Sequence, residues 1–422
     1  MPQVGQTSKH RLQLSLIDFG PEAPTLSALN VLIIPDKFKG TLTAAAAANA
    51  IARGWKRARP EDRLELLPMS DGGDGFGELV GKMMGATTKL AKTVDAAHRP
   101  CRSRLWCDAR GKTVIIDSSR VIGLAMLPPG RFHPFDLDTF GLGTFLRVAA
   151  VRCARRCLVG IGGSATNDGG FGMARALGWT FTNAAGELIE RWTDLDSLHR
   201  VRFPTHEHLF EEITVAVDVD NPLLGPLGAT RVYGPQKGMR SEDFERAERC
   251  LHRLAKVLRS ELGRDLARMP GAGAAGGLGF GFMAFLGARL VPGFELFATA
   301  ARVESHLRSA DLVITGEGAL DKSTLMGKGL GRVAKRCRRL GIPCIGIAGS
   351  VSGEVALSKS FSCTLALTDF TTIEAAKAKP AFWLERVATE AAQSASDSVQ
   401  RALHGSARRA PHWTRPKPRR RK

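Results

Sequence analysis

The sequence predicts an α/β fold built on parallel sheets, and two observations support this prediction. Short apolar runs typical of buried strands alternate along the chain with longer amphipathic or alanine-rich stretches typical of helices. Glycine-rich polar segments follow the strands, as is common where the carboxyl ends of parallel strands bind a ligand. With 422 residues, the chain is long enough for roughly two or three domain-sized units.

The first regular element is expected at Leu29, because residues 1–28 show no sustained hydrophobic period and are interpreted as an extension. The run LNVLII predicts a strand, and Thr43 is a suitable N-cap for an alanine-rich helix that ends near Arg59. Further strands are predicted at 63–67, 156–159, 213–217, 311–315, 344–347 and 363–367. Further helices are predicted at 76–84, 171–177, from 241 onward, up to about 340, and from about 374 to 404.

One stretch departs from this alternation. Residues 103–108 and 113–117 are short alternating runs joined by a turn at 109–111. This pattern predicts a β-hairpin rather than a helical crossover between parallel strands. We therefore expect a domain boundary near Thr93.

The most distinctive polar segment is GIGGSATNDGG at residues 160–170, between a predicted strand and a predicted helix. Its glycines let the main chain approach a ligand closely, and unpaired backbone amides favour an anion such as phosphate. Taken alone, the segment is explained equally well as an ordinary strand-to-helix turn whose glycines accept positive φ. The other strand-end segments decide between these interpretations.

Five such segments follow predicted strands and combine glycine with acids or hydroxyls: 36–40, 70–75, 160–170, 218–221 and 315–321. Strand ends in open α/β sheets form the ligand crevice, so we expect these loops to converge on one site. Carboxylates beside phosphate-binding glycines indicate Mg²⁺ with a nucleotide, because Mg²⁺ takes one or two carboxylates together with phosphate oxygens and water. The lysines that could balance phosphate charge are Lys39, Lys237 and Lys328.

Two motifs resemble common nucleotide-binding fingerprints but occur in the wrong context. GAGAAGG at 271–277 has dinucleotide spacing, yet a helix end and Pro270 precede it instead of a buried strand. A glycine-rich helix start that packs closely or touches a ligand is the better interpretation. GEGALDKST at 316–324 has Asp321 where a P-loop requires its second glycine, which excludes an ordinary P-loop.

Composition adds expectations about partners and compartment. The net charge is +19, and residues 408–422 hold eight Lys or Arg and no acid. A solvated tail is the simplest interpretation, with weak nucleic-acid contact as the alternative.

The eight cysteines lack zinc-site spacing, so we expect buried thiols rather than disulfides or metal ligands. No apolar run suits a signal peptide or membrane span, and we expect a cytoplasmic protein without a membrane partner.

Six motifs, in order over about residues 29–349, carry a resemblance to a known family: PDKFKGTLTA, PMSDGGDG, IGGSATNDGG, DVDNPLLGPLGA with GPQKG, GAGAAGGLGF, and DLVITGEGALD with GK. Together they resemble the bacterial type of glycerate kinase, which phosphorylates glycerate with ATP. The resemblance implies a two-domain chain, to which the basic tail read from composition is added. Its parts are a Rossmann-like parallel-sheet domain at 29–93 and 286–404, a second α/β domain inserted at 94–285, and the tail at 405–422.

The resemblance also implies transfer of the γ-phosphoryl group of ATP to a hydroxyl of D-glycerate with Mg²⁺, and it favours 2-phosphoglycerate as the product. The catalytic residues are expected to be Lys39, Asp71 and Asp168, with Asp71 or Asp168 as the base. The metal ligands are expected to be Asp71, Asp218 and Asp220. Phosphate and nucleotide contacts are expected from Gly162, Gly163, Ser164, Thr166, Asn167, Glu317 and Lys328. Substrate contacts are expected from Asp36, Lys37, Asn221 and Lys237.

The chain departs from the usual family pattern at several positions. Lys37 stands where the family commonly has serine, Ala319 stands where an arginine is usual, and the glutamate usual near Thr144 is missing. These departures leave the exact substrate contacts open. Two alternatives are therefore kept: a kinase of another small hydroxy acid, and an inactive homologue whose basic tail binds nucleic acid or a scaffold. The sequence leaves the oligomeric state open.

Overall fold

The computed structural model describes residues 28–38, 40–69, 75–152, 155–204, 209–321, 329–352 and 360–406. The chain forms two compact units, which we call the first unit (within 1–68 and 304–422) and the second unit (69–303). The second unit is inserted in the first, in agreement with the predicted fold class. The units divide after Pro68 and Val303, whereas the hairpin pattern placed a domain boundary near residue 93 and the family resemblance implied a return near 286. The predicted extension up to residue 27 and the basic tail from 407 lie outside the described residues.

The first unit is built on a five-stranded sheet. Its strands are β1 (Asn30–Ile33), β2 (Arg63–Leu66), β11 (Leu312–Leu320), β12 (Cys344–Val351) and β13 (Cys363–Ala366). Its helices are α1 (Ala44–Ala58), α10 (Val303–Arg308), α11 (Gly329–Leu340), α12 (Ile373–Ala378) and α13 (Pro380–Ser406). The strand order is β13-β12-β11-β1-β2, and all neighbouring strands are parallel.

Local sequence explains the start of this unit well. The Thr43 hydroxyl accepts a hydrogen bond from the Ala46 amide at 3.1 Å, so Thr43 caps α1 as predicted. The apolar residues of α1, including Ile51 and Trp55, are buried with Leu384 of α13 and the apolar residues of β1 in one core. Burial of this amphipathic face stabilises the helix more than its propensity does.

The second unit is built mainly on a six-stranded mixed sheet. Its strands are β3 (Thr87–Val94), β4 (Pro100–Cys107), β5 (Thr113–Asp117), β6 (Arg156–Gly160), β7 (Thr180–Thr182), β8 (Arg200–Arg202), β9 (Glu212–Ala216) and β10 (Arg289–Val291). Its helices are α2 (Phe76–Met83), α3 (Ser119–Ile122), α4 (Phe140–Arg152), α5 (Phe171–Ala176), α6 (Ala229–Tyr233), α7 (Phe244–Leu262), α8 (Ala274–Leu286) and α9 (Gly293–Ala300).

The order of the large sheet is β10-β9-β6-β5-β4-β3. Strands β10, β9, β6 and β5 are parallel to one another, whereas β4 pairs antiparallel with both β5 and β3. The antiparallel β4–β5 pair confirms the predicted hairpin. The two short strands β7 and β8 form a separate antiparallel pair.

Two predicted element boundaries were wrong. The strand predicted to end at Thr315 continues to Leu320, because β12 pairs with it along its whole extension. A Cβ atom at Gly316 would clash with the carbonyl oxygen of Ile347, so this glycine allows close strand contact and does not mark a loop. The last helix is two helices, since the second begins at Pro380, whose ring cannot continue a preceding helix.

The cysteines follow the expectation with one exception. Cys157, Cys250, Cys337, Cys344 and Cys363 are buried free thiols, and Cys101 is a half-buried one. Cys107 is disulfide-bonded, so the expectation of thiols throughout is wrong at this position. It lies at the end of β4 and is almost fully buried.

Among the helices of the described residues, none combines the length and apolar character needed to cross a bilayer.

A buried charge network closes the turn between α1 and β2. Asp62 is fully buried, and its two oxygens accept from the Leu29 amide at 2.9 Å, the Trp55 indole at 2.8 Å and two nitrogens of Arg59 at 2.6 and 2.9 Å. Burial by itself raises the pKa of Asp62, but these hydrogen bonds lower it below its ordinary value. The carboxylate therefore stabilises the fold above its unfolded pKa of about 3.9, and this contribution is lost as pH falls through the folded value.

We expect Asp62→Asn to lower the free energy of unfolding by about 3–5 kcal/mol at pH 7, because it removes the buried carboxylate that lies 2.6 Å from the Arg59 guanidinium. Urea unfolding followed by circular dichroism measures the loss. The matched control is Glu61→Gln at a half-exposed neighbour, for which we expect a change within about 0.5 kcal/mol. A loss of less than about 0.5 kcal/mol in Asp62→Asn would contradict a stabilising role of the network.

Candidate active site

The second unit gathers polar residues at one edge of its large sheet. Strands β5, β6, β9 and β10 are parallel, so their carboxyl ends lie at the same edge. Gly160 at the end of β6 pairs with Asp117 of β5 on one side and with Ala216 of β9 on the other. These three strands end level with one another, and the segments that follow them are neighbours.

The loop at 160–170 consists of an open turn and a buried part. Gly162 and Gly163 reach solvent, and Gly163 has a φ of 75°, which glycine adopts without strain. Within the described residues, neither of these two backbone amides donates a hydrogen bond to another group of the protein. Residues 164–170 are all buried. The loop therefore offers two open amides, whereas the predicted ligands Ser164, Thr166 and Asn167 lie inside.

Hydrogen bonds fix the open turn against the segment that follows β5. The Leu124 amide donates to the Gly163 carbonyl at 2.9 Å, and the Ala165 amide donates to the Ile122 carbonyl at 2.9 Å. Within the loop, the Ser164 hydroxyl accepts from the Thr166 amide at 3.1 Å. The Gly163 carbonyl and the Ala165 amide thus anchor the turn, while the amides of Gly162 and Gly163 stay open.

Asp168 closes the buried part of the loop and is fully buried. It accepts from the Thr139 amide at 2.9 Å and hydroxyl at 2.7 Å, and from the amides of Gly172 at 2.9 Å and Gly170 at 3.3 Å. Burial raises the pKa of this carboxyl, while the hydrogen bonds from Thr139 and Gly172 oppose the rise. Oδ2 accepts three of these hydrogen bonds and Oδ1 accepts the one from Gly170, so the carboxyl is engaged mainly with the protein. Its catalytic role stays a prediction.

Lys237 is buried beside the same loop. Its Nζ donates to the Thr166 carbonyl oxygen at 2.6 Å, and 6% of the residue is exposed. Burial lowers the pKa of Lys237 to about 7, and the charge of Asp168 opposes this shift. The structure therefore places the amine of this predicted substrate ligand against the backbone of the loop.

The second glycine-rich segment, at 271–281, packs its main chain against the loop. Ala275, Gly276 and Gly277 have φ values of 56°, 75° and 85°, so the chain is left-handed here inside α8. A Cβ atom on Gly276 would clash with the Thr166 carbonyl oxygen and lie 2.8 Å from the Asn167 Cα. The Gly276 carbonyl also accepts from the Gly169 amide at 3.1 Å. Close packing, one of the two predicted roles of GAGAAGG, is confirmed.

The segment after β9 supplies two acids and an amide. Asp218 is half-buried, and its Oδ1 accepts from a backbone amide at 2.9 Å, while Asp220 is exposed. Asn221 accepts from the Tyr233 hydroxyl at 2.7 Å and donates to the Leu227 carbonyl at 2.8 Å. Over the described part of the chain, no group of three or more His, Cys, Asp or Glu side chains is arranged to hold a metal ion.

Sequence reasoning missed the polar cluster at the end of β5. Asp117 accepts from the Gly75 amide at 3.0 Å and from the Ser119 hydroxyl at 2.7 Å. Next to it, Arg120 donates to Glu78 at 3.1 Å. The run TVIIDSSR was interpreted only as a hairpin strand, although an acid follows an apolar strand here as it does elsewhere. That signal would have added a sixth strand-end segment.

In the first unit, two predicted residues follow β1, and a third lies next to them in β11. The Asp36 amide donates to the Gly316 carbonyl at 2.8 Å, and the Asp36 carboxylate accepts from the Lys37 amide at 2.7 Å. Glu317 follows Gly316 within β11, next to the chain that leaves β1. The structure thus brings Asp36, Lys37 and Glu317 together. Three further predicted residues lie outside the described residues and keep their roles as predictions: Lys39, Asp71 and Lys328.

Comparison with known proteins gives concordant results. The model of the Glycerate kinase family matches residues 31–396. The glycerate kinase of Halalkalibacterium halodurans is 38% identical over 324 residues, which are 76% of this chain and 85% of that protein. The glycerate 2-kinase of Escherichia coli K12 is 36% identical over 341 residues, 78% of this chain and 87% of that protein. A crystal structure from Salmonella typhimurium LT2, assigned as a glycerate kinase 2, superposes with a TM-score of 0.72 and 31% identity, covering 90% of this chain and all of the other.

The buried amine of Lys237 makes a prediction about stability. Because the folded pKa of about 7 lies below the ordinary 10.5, the unfolded chain binds more protons than the folded chain between these values. Stability of the parent chain relative to Lys237→Met should therefore rise with pH above 7, by about 1–3 kcal/mol between pH 7 and 9. Urea unfolding of both proteins from pH 6 to 9 measures this difference. The exposed Lys256→Met provides the control, and a pH-independent difference for Lys237→Met would contradict the lowered pKa.

Proposed function

The chain belongs to the glycerate kinase family, and on this basis we propose that it transfers the γ-phosphoryl group of ATP to a hydroxyl of D-glycerate, forming 2-phosphoglycerate. Membership of the family makes the chain an ATP-dependent kinase of a small molecule. The name of the Escherichia coli relative, a glycerate 2-kinase, supports the 2-hydroxyl as the acceptor. The order of the six sequence motifs supports the same activity.

The observation that carries the proposal is the open turn of Gly162 and Gly163. It follows a parallel strand at the sheet edge where α/β proteins bind ligands, and its amides make no hydrogen bond within the described residues. Open amides at an exposed glycine turn are suited to phosphate oxygens, because no side chain keeps the anion at a distance. The buried residues 164–170 hold that turn in place.

Phosphoryl transfer depends mainly on positioning and on stabilising charge, so the protein groups need fixed places more than covalent chemistry. We assign the phosphates to the turn, and we assign charge neutralisation to Lys39 with Lys328. Of the two acids predicted as the base, we favour Asp71, because Asp168 already accepts four hydrogen bonds inside the loop. Asp168 then acts by holding the loop.

The donor set after β9 fits Mg²⁺. Asp218 and Asp220 are hard oxygen donors, and Mg²⁺ usually takes one or two carboxylates with phosphate oxygens and water, without a dedicated all-protein cage. Asp218 uses one oxygen to accept a backbone hydrogen bond, which orients the carboxylate. We therefore propose that Asp218 and Asp220, with Asp71, hold Mg²⁺, which offsets charge on the phosphates when bound.

The proposal is tested with the full chain, ATP, Mg²⁺ and a panel of hydroxy acids. We expect ADP release to depend on D-glycerate, and ³¹P NMR against authentic standards to show 2-phosphoglycerate as the only organic monophosphate product. L-Glycerate, glycolate and lactate provide the controls for substrate choice. Accumulation of 3-phosphoglycerate would contradict the assigned hydroxyl. ADP release with another hydroxy acid but not with glycerate would contradict the assigned substrate.

A further inference from the structure

One short segment contacts both strand-end loops of the second unit. Residues 229–237, which we call the strut, comprise α6 and the turn that follows it. The Thr230 hydroxyl accepts from the Asn167 side-chain amide at 3.0 Å in the loop after β6. The strut also contains Tyr233 and Lys237, whose hydrogen bonds to Asn221 and to the Thr166 carbonyl are described above. One short helical segment therefore joins the loop after β6 to the loop after β9.

We propose that the strut fixes the relative positions of these two loops, and that Tyr233 and Lys237 are positioning residues for phosphoryl transfer. The proposal rests on the proposed function for its kinetic consequence. Its structural consequence, a loop held in place by the strut, does not depend on the identity of the substrate.

The contacts form a closed circuit, which is the reason to expect a mechanical effect. On the side opposite the strut, the Gly273 amide donates to the Asn221 backbone carbonyl at 2.8 Å. Gly276, three residues further on, packs against Thr166. The strut thus contacts both loops, and the segment at 271–281 contacts both loops as well. Breaking one contact of such a circuit removes one of the supports that link the two loops, so we expect both loops to loosen.

Burial of the Lys237 amine lowers the stability of the fold, so a purely structural role does not explain why a lysine stands here. Desolvating an amine is unfavourable, and an apolar side chain of similar length would fill the same space without that cost. What the amine adds is a hydrogen bond to the backbone of the loop at 2.6 Å. A group that reduces stability but fixes a functional loop is expected where activity depends on pre-organisation.

Tyr233 is the only tyrosine of the chain. Its ring is half-buried, and burial raises the pKa of its hydroxyl, so the group remains a hydrogen-bond donor at neutral pH. The acceptor is the Asn221 side chain, whose other end donates to the Leu227 carbonyl. Loss of this one hydroxyl would leave the ring in place and free the Asn221 amide, which makes Tyr233→Phe the mildest test of the strut.

The test uses Tyr233→Phe, Lys237→Met and the double variant, with Gln236→Ala at an exposed neighbouring position as the matched control. We expect kcat to fall at least tenfold in each single variant. The midpoint of thermal unfolding should stay close to that of the parent chain in Tyr233→Phe, and it should be equal or higher in Lys237→Met, which removes the buried amine. The double variant should lose less than the product of the two single effects, since both act on one support. Gln236→Ala should keep kcat within twofold.

Hydrogen–deuterium exchange gives a readout that does not need the substrate. Amides at 164–170 should exchange at least tenfold faster in Tyr233→Phe and Lys237→Met than in the parent chain and in Gln236→Ala. Unchanged exchange of these amides in a folded Tyr233→Phe variant would contradict the proposed role of the strut. Faster exchange with no glycerate-dependent activity in the parent chain would count against the proposed function and support the strut. If Lys237→Met does not fold, Tyr233→Phe decides alone.

Discussion

Contact between two stretches of main chain is the constraint on which the loop after β6 depends. Gly276 meets Thr166 and Asn167 at a distance that admits no Cβ atom, and a Cβ on Gly281 would lie 2.8 Å from the Gly170 Cα. A backbone cannot swing aside as a side chain can, so these glycines fix the spacing of the two segments. The left-handed conformation at 275–277 adds a second requirement for glycine. The glycines of GAGAAGG therefore determine how closely the two main-chain segments pack.

This constraint has a chemical use. A glycine turn with open amides stabilises a developing phosphoryl charge only if the turn is already in place, since energy spent on ordering it would be subtracted from the stabilisation. The buried half of the loop supplies that order through the four hydrogen bonds of Asp168 and the contacts with the second glycine segment. Asp168 thus serves the order of the loop, whereas the proposed phosphate contacts are the amides of Gly162 and Gly163.

Sequence patterns predicted the features that depend on neighbours along the chain. The cap at Thr43, the β4–β5 hairpin and the placement of the loop at 160–170 after a strand all follow from local residue types. Features set by distant partners were not visible: β11 extends because β12 pairs with it, and Lys237 is buried by the packing of residues far away in sequence. The helix break at Pro380 is predictable from the sequence, because proline cannot continue a preceding helix.

A comparison of two glycine substitutions tests the backbone constraint most directly. Gly276 and Gly287 both have positive φ, but only a Cβ at Gly276 meets other atoms, whereas the space at Gly287 is open. Alanine at Gly287 should cost about 1–2 kcal/mol of unfolding free energy from left-handed strain alone. Alanine at Gly276 should cost about 1–3 kcal/mol more through overpacking, and of the two variants it alone should lose most of the turnover. Equal losses of stability and turnover in Gly276→Ala and Gly287→Ala would contradict the account.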